Sequence, residues 1–329
     1  FTAMDSVKTI DEVALLADAE KRAGGEGFVS YTFPVPELDP LAVLETLNEP
    51  APRGYFENPS RKRSHAAGSP LRQWAGRGEQ RFIEADCWLR ALDASLTCVG
   101  PRPRVIATFP FYPGSDTDGA QAKLFLPGWQ VVSEDGLTTV TLCEPAAPGC
   151  AARLAIRAES FRKFSYHSNP PPPRAPVPTV LSEVGGSWFP SAVIRATELI
   201  KEGSFEKIVL SRAFDWRRAE PFSIYATWHR LRRGNPQCHT FLVDEADGAL
   251  VGATPETLGY VVPDRQVHGY GLTPAIVDLA FGVFGGQPPA GAASARFDVL
   301  TRASSAMPPL FLAHAMDDGT VPVSQSIAL

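Results

Sequence analysis

Residues 205–212 read FEKIVLSR, and the reading of this stretch decides the rest. Its alternation predicts a strand over 206–214, with Lys207, Val209, Ser211 and Ala213 on one face and Ile208, Leu210, Arg212 and Phe214 on the other. An ammonium group in so apolar a run is costly unless it is paired or gives up its proton. Taken alone, Lys207 reads as an edge-strand lysine turned to water. Upstream, 190–202 predicts a helix: Pro190 suits the first turn, Val193, Ala196, Leu199 and Ile200 share a face, and Gly203 stops it. Downstream, a second helix over 223–233 ends at Gly234-Asn235-Pro236. Runs 239–243 and 249–253, parted by a polar turn with Asp247-Gly248, predict a hairpin. The hairpin leads into Thr254-Pro255-Glu256, where Glu256 taken alone reads as an acid at a helix N-terminus.

Farther out, short runs at 105–111, 122–126, 130–132 and 138–142 predict strands closed by Pro and Gly. Pro170 to Pro178 (PPPPRAPVP) can continue neither a helix nor a central strand and reads as an exposed connector. The chain has 329 residues, 44% of them apolar and 20% charged, with net charge -5. That balance excludes a disordered tail and a basic nucleic-acid binder and fits a globular enzyme. Arg61-Lys62-Arg63 is too short a basic cluster to alter this and reads as a solvated loop. Cys87, Cys98, Cys143, Cys150 and Cys238 are odd in number and form no C-x-x-C, so a reducing, cytoplasmic setting is expected rather than a disulfide framework. No targeting peptide is read at Phe1, and the longest apolar stretch, 275–286, is too short to span a membrane. His229, Cys238 and His239 lie close in sequence but fit no zinc spacing.

Taken in order, FEKIVLSR, GNPQCHTFLVD (234–244) and GATPETL (252–258) resemble the chorismate-utilising enzymes, the isochorismate synthases most closely. AKLFLPGWQVV (122–132) and the block from Tyr55 to Phe82 look like the same family's N-terminal half, so the resemblance covers roughly 29–268. It implies an α+β fold of packed mixed β-sheets with flanking helices. It also implies chorismate as substrate and Mg²⁺ as cofactor. The routes it would feed are menaquinone, siderophore or salicylate synthesis. The family's general base maps onto Lys207 and its general acid onto Glu256. Ammonia-using relatives that make anthranilate usually carry glutamine at the lysine position, so the resemblance favours water as the nucleophile. The chemistry needs one base to deprotonate water attacking C2 and one acid to protonate the departing C4 hydroxyl. A lysine serves as base only if burial by neighbours such as Ile208, Val209 and Leu210 lowers its pKa. Glu256 must conversely keep a proton.

The pattern breaks near His268, where QVHGYGLTPAIVDL lacks the family's Gly-Thr pair, and Glu256 is the last glutamate. The expected organisation is therefore a partial chorismate-binding domain, 1–268, followed by an unrelated tail, 269–329. The Mg²⁺ ligands of the family have no counterpart in the chain, whose later acids are Asp278, Asp298, Asp317 and Asp318. The tail from Ala295 onward resembles the end of an α/β-hydrolase esterase, with Asp318 as the implied triad acid. No G-x-S-x-G is present and no histidine follows His314, so a triad cannot be completed. Three readings stand: an isochorismate synthase-like enzyme, a truncated or fused homologue that binds chorismate or a partner without turnover, and an esterase fragment. Arg212, on the face opposite Lys207, is expected to be an ion-pair partner rather than a substrate ligand.

Overall fold

The computed structural model describes residues 2–110, 121–164, 179–184, 188–204, 207–210, 213–217, 222–245, 248–255, 259–261, 267–269 and 326–328. The chain divides into two compact units, one of residues 1–171 with 224–253 and the other of 172–223 with 254–329. The first crossing, at 171/172, falls inside the Pro170–Pro178 cluster, whose own conformation lies outside the described residues.

The first unit begins with α1 (Thr2–Ala23), β1 (Phe28–Val35), α2 (Pro40–Leu47), β2 (Arg53–Asn58) and β3 (Arg63–Gly76). It continues through α3 (Arg81–Ala94), β4 (Leu96–Val99), β5 (Ile106–Thr108), β6 (Ala122–Glu134), β7 (Leu137–Pro145) and α4 (Cys150–Arg162). After α4 the chain forms β8 (Thr179–Val184), α5 (Phe189–Lys201), β9 (Lys207–Val209) and β10 (Ala213–Arg217), all in the second unit. It then returns as α6 (Ile224–Gly234), β11 (His239–Glu245) and β12 (Gly248–Thr254).

One sheet organises the first unit, in the order β12-β11-β2-β3-β6-β7-β1-β4, with β5 on β6. It is mixed, because β4 joins β1 in parallel while β11–β2, β2–β3, β3–β6, β5–β6, β6–β7 and β7–β1 pair antiparallel. Pairing aligns Leu242, Tyr55, Ala66, Val131, Val140 and Phe33 in one buried row across six strands. That row packs under Leu16 and Ala19 of α1, Leu41 and Leu44 of α2, Leu154 and Ala158 of α4, and Trp228 of α6. The next row, Val243, Gly54, Ala67, Gln130, Thr141 and Thr32, faces the other way. There Leu92 of α3 and Leu126 and Cys143 of the sheet form a smaller cluster.

Two strand expectations need correction. Runs 122–126 and 130–132 belong to one strand, β6, which passes through Pro127 and Gly128. Pro127 lies opposite Pro70 and the register slips between Pro70 and Arg72. Two prolines facing each other need no N–H partners, and the bulge absorbs the irregularity. The predicted strand 206–214 is two strands, because β9 pairs in parallel with β15 (Ser326–Ala328) whereas β10 pairs antiparallel with β8. A period-two pattern cannot reveal a change of partner. Between these elements Arg212 lies outside the described residues. The second unit also holds the short pair β13 (Gly259–Val261) and β14 (Val267–Gly269).

The predicted helices over 190–202 and 223–233 are α5 and α6, each shifted by one residue. The predicted hairpin strands are β11 and β12, each longer than read, and they are neighbours at the sheet edge. Among the described residues no helix is long and apolar enough to cross a membrane.

Candidate active site

Lys207 opens β9. Its side chain, and all of Glu256, lie outside the described residues. What the structure does define is the frame built by α6, β11 and β12, which lie between the two residues in sequence.

That frame is fastened by buried charge. Arg53 of β2 is 8% exposed and Asp244 of β11 is 6% exposed. Arg53 Nε donates to Asp244 Oδ2 at 2.9 Å, and Nη2 donates to the same oxygen. Arg53 Nη1 donates to the Tyr225 hydroxyl of α6 at 2.8 Å, and that hydroxyl donates to the Leu44 carbonyl of α2 at 3.2 Å. One guanidinium thus ties β2, β11 and α6 together, and Tyr225 extends the tie to α2. A second arginine repeats the device. Arg232 of α6 donates to Asp39 at 2.8 Å and to Glu57 of β2 at 3.0 Å. Asp39 is already the N-cap of α2, accepting from the Leu41 amide. Burial pushes the Glu57 carboxyl up and Arg232 opposes this, while the Arg232 guanidinium, although desolvated, is held charged by Asp39 and Glu57. Between the two arginines Trp228 packs edge-on against Tyr55, ring centroids 4.4 Å apart.

None of these groups has the makings of a nucleophile or a free base. His229 Nε2 meets Glu45 at 3.3 Å, and His239 meets the Asn58 amide at 3.1 Å, so the two histidines take up separate partners. Among the described residues no three His, Cys, Asp or Glu side chains converge as metal ligands. The aspartates after 268 fall outside those residues. Cys143 is buried beside Leu92 and Leu126, and burial pushes its thiol up to about 12, which keeps it protonated at neutral pH.

A cleft of about 260 Å³ opens on the second face of the sheet, lined among others by Thr32, Thr141, Gln130, Arg102, Arg104 and Glu134. Its charges are already spent: Arg104 donates to Glu134 at 3.1 Å and Arg102 pairs with Asp93. Gln130 clamps the Arg104 backbone, donating to its carbonyl at 2.8 Å and accepting from its amide at 3.1 Å. The cleft lacks a base and an acid of independent charge. The basic cluster at 61–63 is likewise structural in part, since Arg63 pairs with Glu134 at 2.9 Å.

With this geometry in hand, comparison with known proteins decides the family. Residues 14–271 match the family model described as chorismate binding enzyme. The chain belongs to that family. Anthranilate synthase component 1 of Salmonella typhimurium is 32% identical over 122 residues, 36% of this chain and 22% of that protein. Isochorismate synthase MenF of Escherichia coli is 38% identical over 64 residues, 19% of this chain and 15% of that protein. The solved structure of MenF, described as the menaquinone-specific isochorismate synthase, aligns at 21% identity and a TM-score of 0.49, covering 75% of this chain and 56% of that one. The chain thus matches less than a quarter of its curated relatives' length and little more than half of the solved relative.

The sequence reading missed Arg53, Asp244 and Arg232. The signal for Arg232 was present in α6, where Trp228 and Arg232 share a face four residues apart. Arg53 and Asp244 stand 191 residues apart and no local pattern joins them.

Proposed function

We propose that the chain acts on chorismate as an isochorismate synthase-like enzyme, with Lys207 as general base and Glu256 as general acid. The observation that carries this reading is the lysine of FEKIVLSR, inside the span that matches the chorismate binding enzyme model. Neutral Lys207 takes a proton from water as the water oxygen bonds to C2. The ring double bond shifts, the C4–O bond breaks, and Glu256 gives its proton to the departing hydroxyl. Water enters and water leaves, so the net change is an isomerisation. Each positioned proton-transfer group contributes typically about 10²–10⁴-fold. Alignment of the ring supplies the remainder.

A second reading has its own support. Anthranilate synthase component 1 is among the relatives by sequence, which favours ammonia as the nucleophile. A third is chorismate binding without turnover. One experiment separates them: the purified chain is incubated with chorismate and Mg²⁺, with and without ammonium, and products are resolved by chromatography. Isochorismate in both mixtures supports the proposal. Anthranilate only with ammonium replaces it with the second reading, and no product alongside calorimetric binding of chorismate replaces it with the third.

A further inference from the structure

The two arginines that fasten α6 differ in their balance of charge. Arg53 meets one carboxylate, Asp244, and one neutral hydroxyl, Tyr225, so that clamp is balanced as built. Arg232 meets two carboxylates: Asp39 through Nη1 at 2.8 Å and Nη2 at 3.5 Å, and Glu57 through Nε at 3.0 Å. With both acids ionised this second clamp keeps one negative charge in excess, in a setting where unpaired charge is costly. The titratable groups that bear on Glu57 come from three elements: Arg232 of α6, Asp39 at the start of α2 and Tyr55 of β2 itself. Burial holds the Tyr55 hydroxyl protonated, and the residues opposite Glu57 on the neighbouring strands are the uncharged Ser64 of β3 and Thr240 of β11. Of the two acids, Asp39 has more donors and more water, since it also accepts from the Leu41 amide and its side chain is 30% exposed. Glu57, 9% exposed, leans on the one guanidinium nitrogen, so the proton that balances the clamp belongs there. Once that proton leaves, the carboxylate regains water only if α6 lifts from β2.

We propose that the Arg232 clamp is a proton-dependent fastening of α6 onto β2 and α2, closed with a proton on Glu57 and loosened without it, while the balanced Arg53 clamp holds in both states. Burial raises the Glu57 carboxyl above the ordinary glutamate range, so the folded chain keeps a proton that the unfolded chain releases. The stability gained is complete below that range and is lost as pH rises through the raised value. Hydrogen–deuterium exchange of α6 in the full chain tests this at pH 5 and pH 8, with intrinsic exchange rates corrected for pH. The background is His229→Gln, which removes the neighbouring His229–Glu45 contact. Protection of α6 should be about 3–10-fold greater at pH 5 than at pH 8. Glu57→Gln should erase that difference and raise protection at pH 8 above that of the glutamate chain, whereas loss of an ordinary ion pair would lower it. Asp39→Asn removes the excess charge from the other side, retains a capping oxygen and should flatten the profile in the same way. It serves the test if Glu57→Gln fails to fold. Equal protection of α6 at the two pH values, a pH dependence that survives in Glu57→Gln, or a loss of protection at pH 8 in that variant each overturns the proposal.

Discussion

Arg53 and Asp244 meet across adjacent strands of one sheet, 191 residues apart in sequence, with both side chains almost closed to water. Removing one partner leaves the other as an isolated buried charge. Asp244→Ala should destabilise the first unit by about 3–5 kcal/mol, read as a lowered urea midpoint of tryptophan fluorescence. Arg53→Met/Asp244→Leu should recover most of that loss, since an apolar pair of similar volume avoids the desolvation cost. A double variant as unstable as the single one would contradict this account.

The His65 ring faces Gln130 at 3.1 Å, and its pKa is lowered from 6.5 to about 4, chiefly by burial and secondly by the Arg104 charge. The unfolded chain therefore binds a proton at 65 between pH 6.5 and 4 that the folded chain refuses. Stability from this group is complete above pH 6.5 and declines as pH falls toward 4, by up to about 3 kcal/mol. The ring keeps some exposed surface, which reduces that ceiling. Chemical unfolding at pH 7 and pH 4.5 should show a smaller difference in His65→Gln than in the parent chain.

At Gly68 a β-carbon would come within 2.8 Å of Cζ2 of Trp129. That indole is 1% exposed, and its Nε1 donates to Glu49 at 2.6 Å, so it has no room to retreat. Gly68→Ala should cost about 1–3 kcal/mol through overpacking. Calorimetric melting would show it, and an unchanged transition would mean that the indole can move after all.

For the proposed chemistry, Lys207→Ala and Glu256→Gln should each lower kcat about 10²–10⁴-fold with little change in KM for chorismate. Their pH profiles should lose opposite limbs, the basic-side ionisation with Glu256→Gln and the acidic-side one with Lys207→Ala. Full activity in either variant would exclude that residue from its assigned role.

Much of this architecture is visible in local sequence. Pro190 and Gly203 bracket α5, Gly234-Asn235-Pro236 closes α6, and alternation marks β11 and β12, because caps and periodicity are short-range signals. The division of 206–214 into β9 and β10 is not visible, since it depends on which distant strand each half meets. Nor is α1, whose buried side chains among the described residues, Leu16 and Ala19, give too thin a stripe to announce a helix. The motifs holding Lys207 and Glu256 are legible only as a family resemblance. Arg53 and Arg232 look like ordinary surface arginines until the sheet brings Asp244, Asp39 and Glu57 to them.

The return of residues 224–253 to a unit begun by residues 1–171 has a consequence for biosynthesis. As the nascent polypeptide leaves the ribosome, β2 emerges early with one ladder of amides and carbonyls unclaimed, and Tyr55 awaits the indole of Trp228. Both needs are met only after the whole excursion from 172 to 223 has been translated. Until then the growing chain displays a sticky border suited to illegitimate pairing. Chaperone demand should therefore last until α6 and β11 have emerged, and chains halted before α6 should be the ones that clump.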